Sequence, residues 1–166
     1  MTIRQIVTYP DPRLRALAAP VMVFDDALRA LASDLVETMR AADGIGITAP
    51  HIGIAMRLVV LELSREEEPV IYVNPKLIWA SDELIRHAEG SVSMPGVTAE
   101  IGRPARVRVL YQDLSGAEHI EEADGLRAVC HQHEIDQLDG IFWTQRLSPL
   151  KRERAAKRYQ KLNRLG

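Results

Sequence analysis

Residues 130–140 read Cys-His-Gln-His-Glu-Ile-Asp-Gln-Leu-Asp-Gly, and this run constrains the chain more than any other. On a helix, residues four apart share a face, so His133 and Gln137 point the same way with Glu134 beside them. A helical His-Glu-x-x-His holds zinc through two imidazoles while the glutamate handles a proton. Here the second histidine is a glutamine. Leu126, Val129 and His133 fall on one stripe, Ile135 and Leu138 on its neighbour, with Gly125 opening the helix and Gly140 closing it. The pattern predicts a buried helix with a histidine on its inner side.

The rest of the chain supplies strands in the middle and helices at both ends. Asp25 or Asp26 can cap a helix carrying Leu28, Leu31, Leu35 and Met39, ended by Asp43-Gly44. Residues 57–63 read as a strand, and 70–74 as a second strand stopped by Pro75. The stretch 77–84 is open between classes, and 89–96 is a loop or bulged strand. Residues 105–112 alternate cleanly and turn at Asp113–Gly116 into a returning strand at 119–122. A last helix spans about 148–165. The elements add up to one α+β domain over residues 1–166, with antiparallel or mixed strands around the central motif helix.

Composition bounds the function classes. With 46% hydrophobic and 27% charged residues and a net charge of −2, the chain as a whole shows no nucleic-acid-binding balance and no expectation of a DNA partner. Its single cysteine, Cys130, rules out an intrachain disulfide. The first residues lack the apolar run of a signal peptide, and no stretch reaches the roughly 20 apolar residues of a membrane span. A cytoplasmic protein with no membrane partner is the expectation.

Three motifs occur in order: Gly44-Ile-Gly-Ile-Thr-Ala-Pro-His51, Glu89-Gly-Ser-Val-Ser93 and Gln132-His-Glu-Ile-Asp-Gln137. Flanking them are Tyr9-Pro-Asp-Pro-Arg-Leu14, Asn74-Pro75 and Arg146-Leu-Ser-Pro-Leu-Lys-Arg152. Along nearly its whole length the chain resembles the peptide deformylases, metalloenzymes that remove the formyl group from the N-terminal methionine of new proteins. The resemblance implies the deformylase fold and a divalent metal, iron or zinc, held by a cysteine of the second motif and two histidines of the third. Those positions are Ser91, His133 and Gln137 here. The glutamine that stabilises the oxyanion in the family is His51, and the general acid/base corresponds to Glu134. The resemblance places Ile45 and Gly46 against the substrate backbone and matches Arg103 to an arginine that contacts bound peptide.

A thiolate with two imidazoles suits a borderline-soft divalent ion, whereas a hydroxyl and a carboxamide are poor ligands for it. The expectation is therefore a degenerate deformylase homologue with no metal at the usual position and little ordinary activity, still able to bind N-terminal peptides of nascent chains. The alternative is a residual or altered hydrolase with a rearranged site around His51, Ser91, His133 and Glu134, either a displaced metal or a Ser-His pair. A third reading makes Ser91, Gln137, His51 and His133 one hydrogen-bonded cluster filling the former metal hole. Cys130 is expected to pack, His131 to be exposed or capping, and Glu89 and Asp136 to form structural ion pairs. Residues 151–166 hold seven Lys/Arg against one acid. That run reads as a solvated helix face, and the resemblance adds docking on ribosomes.

Overall fold

The computed structural model describes residues 2–165. Helix α1 spans Asp26–Ala41, and its cap is Asp25, whose side chain accepts the Leu28 N–H at 3.0 Å. A cap of this kind contributes about 1 kcal/mol. Strand β1 (Gly46–Thr48) follows, then a 3-10 turn at Ala49–Ile52 and strand β2 (Leu58–Leu61). Strands β3 (Val70–Ala80), β4 (Leu84–Ser91), β5 (Met94–Pro104), β6 (Arg106–Gln112) and β7 (Glu118–Asp124) lead into helix α2 (Gly125–Leu138). Helix α3 (Pro149–Leu165) closes the described chain.

Two sheets result, a five-stranded one in the order β1-β2-β3-β6-β7 and the hairpin β4-β5, with every strand pairing antiparallel. All four residues of β2 are buried because the sheet is covered on both faces. Leu58 and Val60 pack with Leu31, Leu35 and Met39 of α1, while Val59 and Leu61 pack with Cys130 and Leu138 of α2. A continuous apolar run of this length is what a doubly covered strand requires. Helix α2 is thus the centre of the molecule, touching strands of both sheets. A third cluster, Trp143, Tyr159, Met94 and Val97 among its members, holds α3 on the hairpin.

Two expectations about local structure need correction. Pro75 does not stop its strand, because β3 runs on to Ala80 through a register shift between Val73 and Lys76. The missing N–H costs nothing at a bulge. Asn74 takes φ 52° there, and its side chain bonds the backbone of Val21 and the side chain of Gln112. Second, His131 is neither exposed nor capping. It is 1% exposed and contacts Glu121, which also takes hydrogen bonds from Tyr72 and Arg127. A histidine among polar neighbours carries no sequence signal for a carboxylate ten residues away on β7.

Candidate active site

A cleft of about 630 Å³ opens between β1, the β4-β5 hairpin and the outer face of α2. Ile45, Val92, Leu126, Val129 and Cys130 give it apolar walls, and His51, Ser91, His133 and Glu134 give it a polar floor. The stripe Leu126-Val129-His133 expected to face the core faces this cleft instead. Cys130 packs at 8% exposure, and burial pushes its thiol up to about 12, so it stays protonated.

Glu134 is 3% exposed, and among the described residues its Oε1 has no hydrogen-bond partner. Burial raises its carboxyl to about 7 against the pull of His133, as expected for a desolvated acid. A Cβ on Gly46 would lie 2.8 Å from Glu134 Oε2, so the glycine is what lets β1 pass this close to the carboxylate.

His133 turns Nδ1 to Glu89 Oε1 at 2.8 Å, leaving Nε2 4.0 Å from Glu134 Oε1. Burial opposes charging of this ring, yet the Glu134 and Glu89 carboxylates outweigh it and hold its pKa above the usual range. Glu89 is itself buried and accepts two hydrogen bonds from Arg103, which also bonds Asp136 at 2.9 Å. Asp136 in turn accepts from Arg146. Burial works against the Glu89 charge, but His133 and Arg103 win and keep its carboxyl below the ordinary range. The resemblance matches Arg103 to a peptide contact, and the fold pairs it with carboxylates. Its side chain is 5% exposed, outside the cleft lining and committed to two carboxylates.

His51 sits on the 3-10 turn after β1 with its Nδ1 accepting the Thr48 N–H at 2.9 Å. An amide donor on Nδ1 means that the neutral ring carries its proton on Nε2. Among the described residues that nitrogen is buried without a partner. Burial, then His133, lower the ring to about 3, so it is neutral at physiological pH.

The remaining positions disperse. Ser91 Oγ accepts the Ser93 N–H at 3.0 Å, and Gln137 Nε2 donates to the Leu14 carbonyl at 2.7 Å. Gln137 lies outside the cleft lining. The expected cluster of Ser91, Gln137, His51 and His133 is thus absent, since each bonds a different neighbour; nor does a Ser91–His133 hydrogen bond occur among the described residues. No group of three or more His, Cys, Asp or Glu side chains among the described residues is placed to share a metal ion.

The whole chain has relatives of the same shape. A family model described as polypeptide deformylase matches residues 3–153. The chain belongs to the peptide deformylase family. It is 69% identical over 164 residues to a peptide deformylase-like protein of Brucella melitensis, covering 99% of this chain and 100% of that one. A peptide deformylase of Phenylobacterium zucineum is 46% identical over 164 residues, 97% of either chain. The crystal structure of a peptide deformylase from Legionella pneumophila superposes with a TM-score of 0.94 at 38% identity, covering 99% of this chain and 97% of that one. The α+β fold around the motif helix is the deformylase fold, and Ile45, Gly46, His51, Ser91, His133 and Glu134 all line its cleft.

One functional contact had no signal in the sequence. Arg40 and Arg65 hold the buried Glu62 carboxylate, whose backbone N–H donates to Ile45 O at 2.8 Å, and Arg65 reaches Gly44 O. This clamp sets the strand that walls the cleft.

Proposed function

We propose that this chain is a deformylase-family protein that has lost ordinary deformylation and keeps a cleft for peptide N-termini. The observation that carries the reading is Gln137, whose amide is spent on Leu14 O, so α2 offers His133 alone at the position where the resemblance puts two imidazoles. The donors present do not fit the family's divalent ion. Catalytic zinc takes three firm protein ligands, whereas His51 presents an N–H, Ser91 a hydroxyl already bonded to backbone, and Gln137 nothing to the cleft. Without such an ion, no bound water is drawn toward a pKa near 7 and no carbonyl is polarised by a Lewis acid.

What remains suits binding. Apolar walls accept a side chain, Ile45 just before β1 and Gly46 at its start line the cleft, and the His51 Nε2–H is preorganised to donate to a carbonyl oxygen. The expected result is protein purified without chelators that contains no stoichiometric metal, releases no formate from formyl-Met peptides, and binds those peptides in calorimetry. Stoichiometric metal lost in His133→Ala would overturn the metal-free reading, and absence of peptide binding would overturn the rest.

A specific feature favours a second reading, residual hydrolysis. Glu134 has a desolvated carboxyl with a pKa near neutrality, as a general base requires. Any turnover must then disappear in Glu134→Ala; turnover that survives the change ends this reading.

The basic face of α3 supports a ribosome contact only through charge, with Lys151, Arg154 and Arg158 beside Arg86 around a shallow groove. Binding to ribosomes that falls steeply between 50 and 200 mM salt is the expected sign of such docking.

A further inference from the structure

Away from the cleft, the outer face of the five-stranded sheet is built to meet a second copy of this chain. We propose that the outer face of β6 and β7 stacks on the same face of that copy about a two-fold axis lying between the two strands and parallel to them.

Successive residues of a strand face opposite sides. Val107, Val109 and Ala123 point inward and pack with Ala128 and Ile135 of α2, so the alternate residues form the outer face. Register sets them in rows: Arg106 beside Asp124, Arg108 beside Glu122, and Leu110 beside Ile120. Ile120 is 62% exposed and the four charged residues are exposed with it, so this face is open to solvent. On the neighbouring β3, a register shift between Leu77 and Trp79 brings Ile78 and Trp79 to the surface in succession, at 44% and 41% exposure.

Each row joins opposite charges or two apolar side chains, and a two-fold axis turns that pattern into self-complementarity. Half a turn about an axis between β6 and β7 lays β6 of one copy over β7 of the other, with no shift along the strands. Arg106 then faces Asp124 of the second copy, Arg108 faces its Glu122, and Leu110 faces its Ile120. Every contact occurs twice, as in any isologous interface. Gln112 meets Glu118, which adds no clash of like charges. Arg108 is held in place for this role, 5.1 Å from the Trp79 ring centre and bonded to Glu122 of its own chain at 2.7 Å. A lone exposed pair contributes little, but stacking joins two such pairs into a four-charge network. Strand β3 then overhangs the outer edge of the second copy's β7, and Ile78 and Trp79 cover an edge that closes the sheet order.

Edge-to-edge pairing of two β7 strands is the competing arrangement. It would bring two acidic strands side by side, each with Glu118, Glu121, Glu122 and Asp124. Like charges across a strand pair destabilise it, so charge selects the face over the edge.

Sedimentation velocity on the whole chain tests the face. The wild type is expected to be a dimer at about 0.1 mM, where even micromolar affinity assembles most of the protein. Arg108→Glu and Glu122→Arg, each at an exposed position and with folding verified by circular dichroism, are each expected to weaken association at least ten-fold. Combining the two is expected to restore the dimer, because position 108 of one copy meets position 122 of the other. Ile120→Lys is expected to give a folded monomer. A wild type that stays monomeric would overturn the proposal. So would a dimer that survives either single reversal or Ile120→Lys, or one that the combined reversal fails to restore.

Discussion

Gln137 and Leu14, 123 residues apart, are joined by a 2.7 Å hydrogen bond from the buried amide to the backbone carbonyl. The side chain that sits at the second imidazole position of the motif has become a strut. It ties α2 to the 3-10 turn at Pro12–Arg15, and Leu14 is itself buried with Met94 and Trp143.

This strut makes reversion a two-sided experiment. Ser91→Cys with Gln137→His is expected to restore divalent-metal uptake, measured by elemental analysis, because it rebuilds a thiolate and two imidazoles. Losing the bond to Leu14 should cost on the order of 1 kcal/mol in the metal-free form. A folded double variant that takes up no metal would mean that the floor no longer has room for the ion.

His51 sets an acid limit on stability. Its folded pKa of about 3 lies below the unfolded value of 6.5, so the unfolded chain binds the extra proton between those values. Stability from this group is therefore complete above pH 6.5 and is lost as pH falls towards 3. In His51→Gln the decline in melting temperature from pH 6.5 to 4 should be shallower than in the wild type. Parallel curves would show that the ring is not held neutral by the fold.

Arg103 separates a structural from a peptide-binding role. Arg103→Met leaves Glu89 and Asp136 without their shared partner, and breaking a buried pair costs roughly 3–5 kcal/mol. Denaturant unfolding should register that loss. Unchanged stability with loss of peptide affinity would instead return Arg103 to the ligand.

Gly46→Ala tests the close approach of β1 to α2. The added methyl meets Glu134 Oε2 at 2.8 Å and Leu61 Cδ2 at 3.0 Å, and overpacking of this kind costs about 1–3 kcal/mol. A melting temperature equal to the wild type would mean that the Glu134 side chain moves aside freely.

The amino-acid order alone specifies the family, the helix that carries His133 and Glu134, and the hairpin of β6 and β7. Those features are local: a three-to-four-residue spacing, a two-residue alternation, and motifs whose order along the chain is enough. It also placed the chemical departures at Ser91, Gln137 and His51. What those residues bond to depends on packing between distant segments. Strand β5 was not legible, because Pro95-Gly96 interrupts its alternation and Arg103 occupies an inward position that apolar patterning reserves for a hydrophobe. The burial of that arginine depends on Glu89, 14 residues away, and Asp136, 33 residues away. The proton on His51 is set by the amide of Thr48 three residues earlier, once a turn brings ring and amide together. Partners, protonation and the direction a polar side chain faces are properties of packed neighbours. A motif can say which atoms are available, but the fold decides where each is spent.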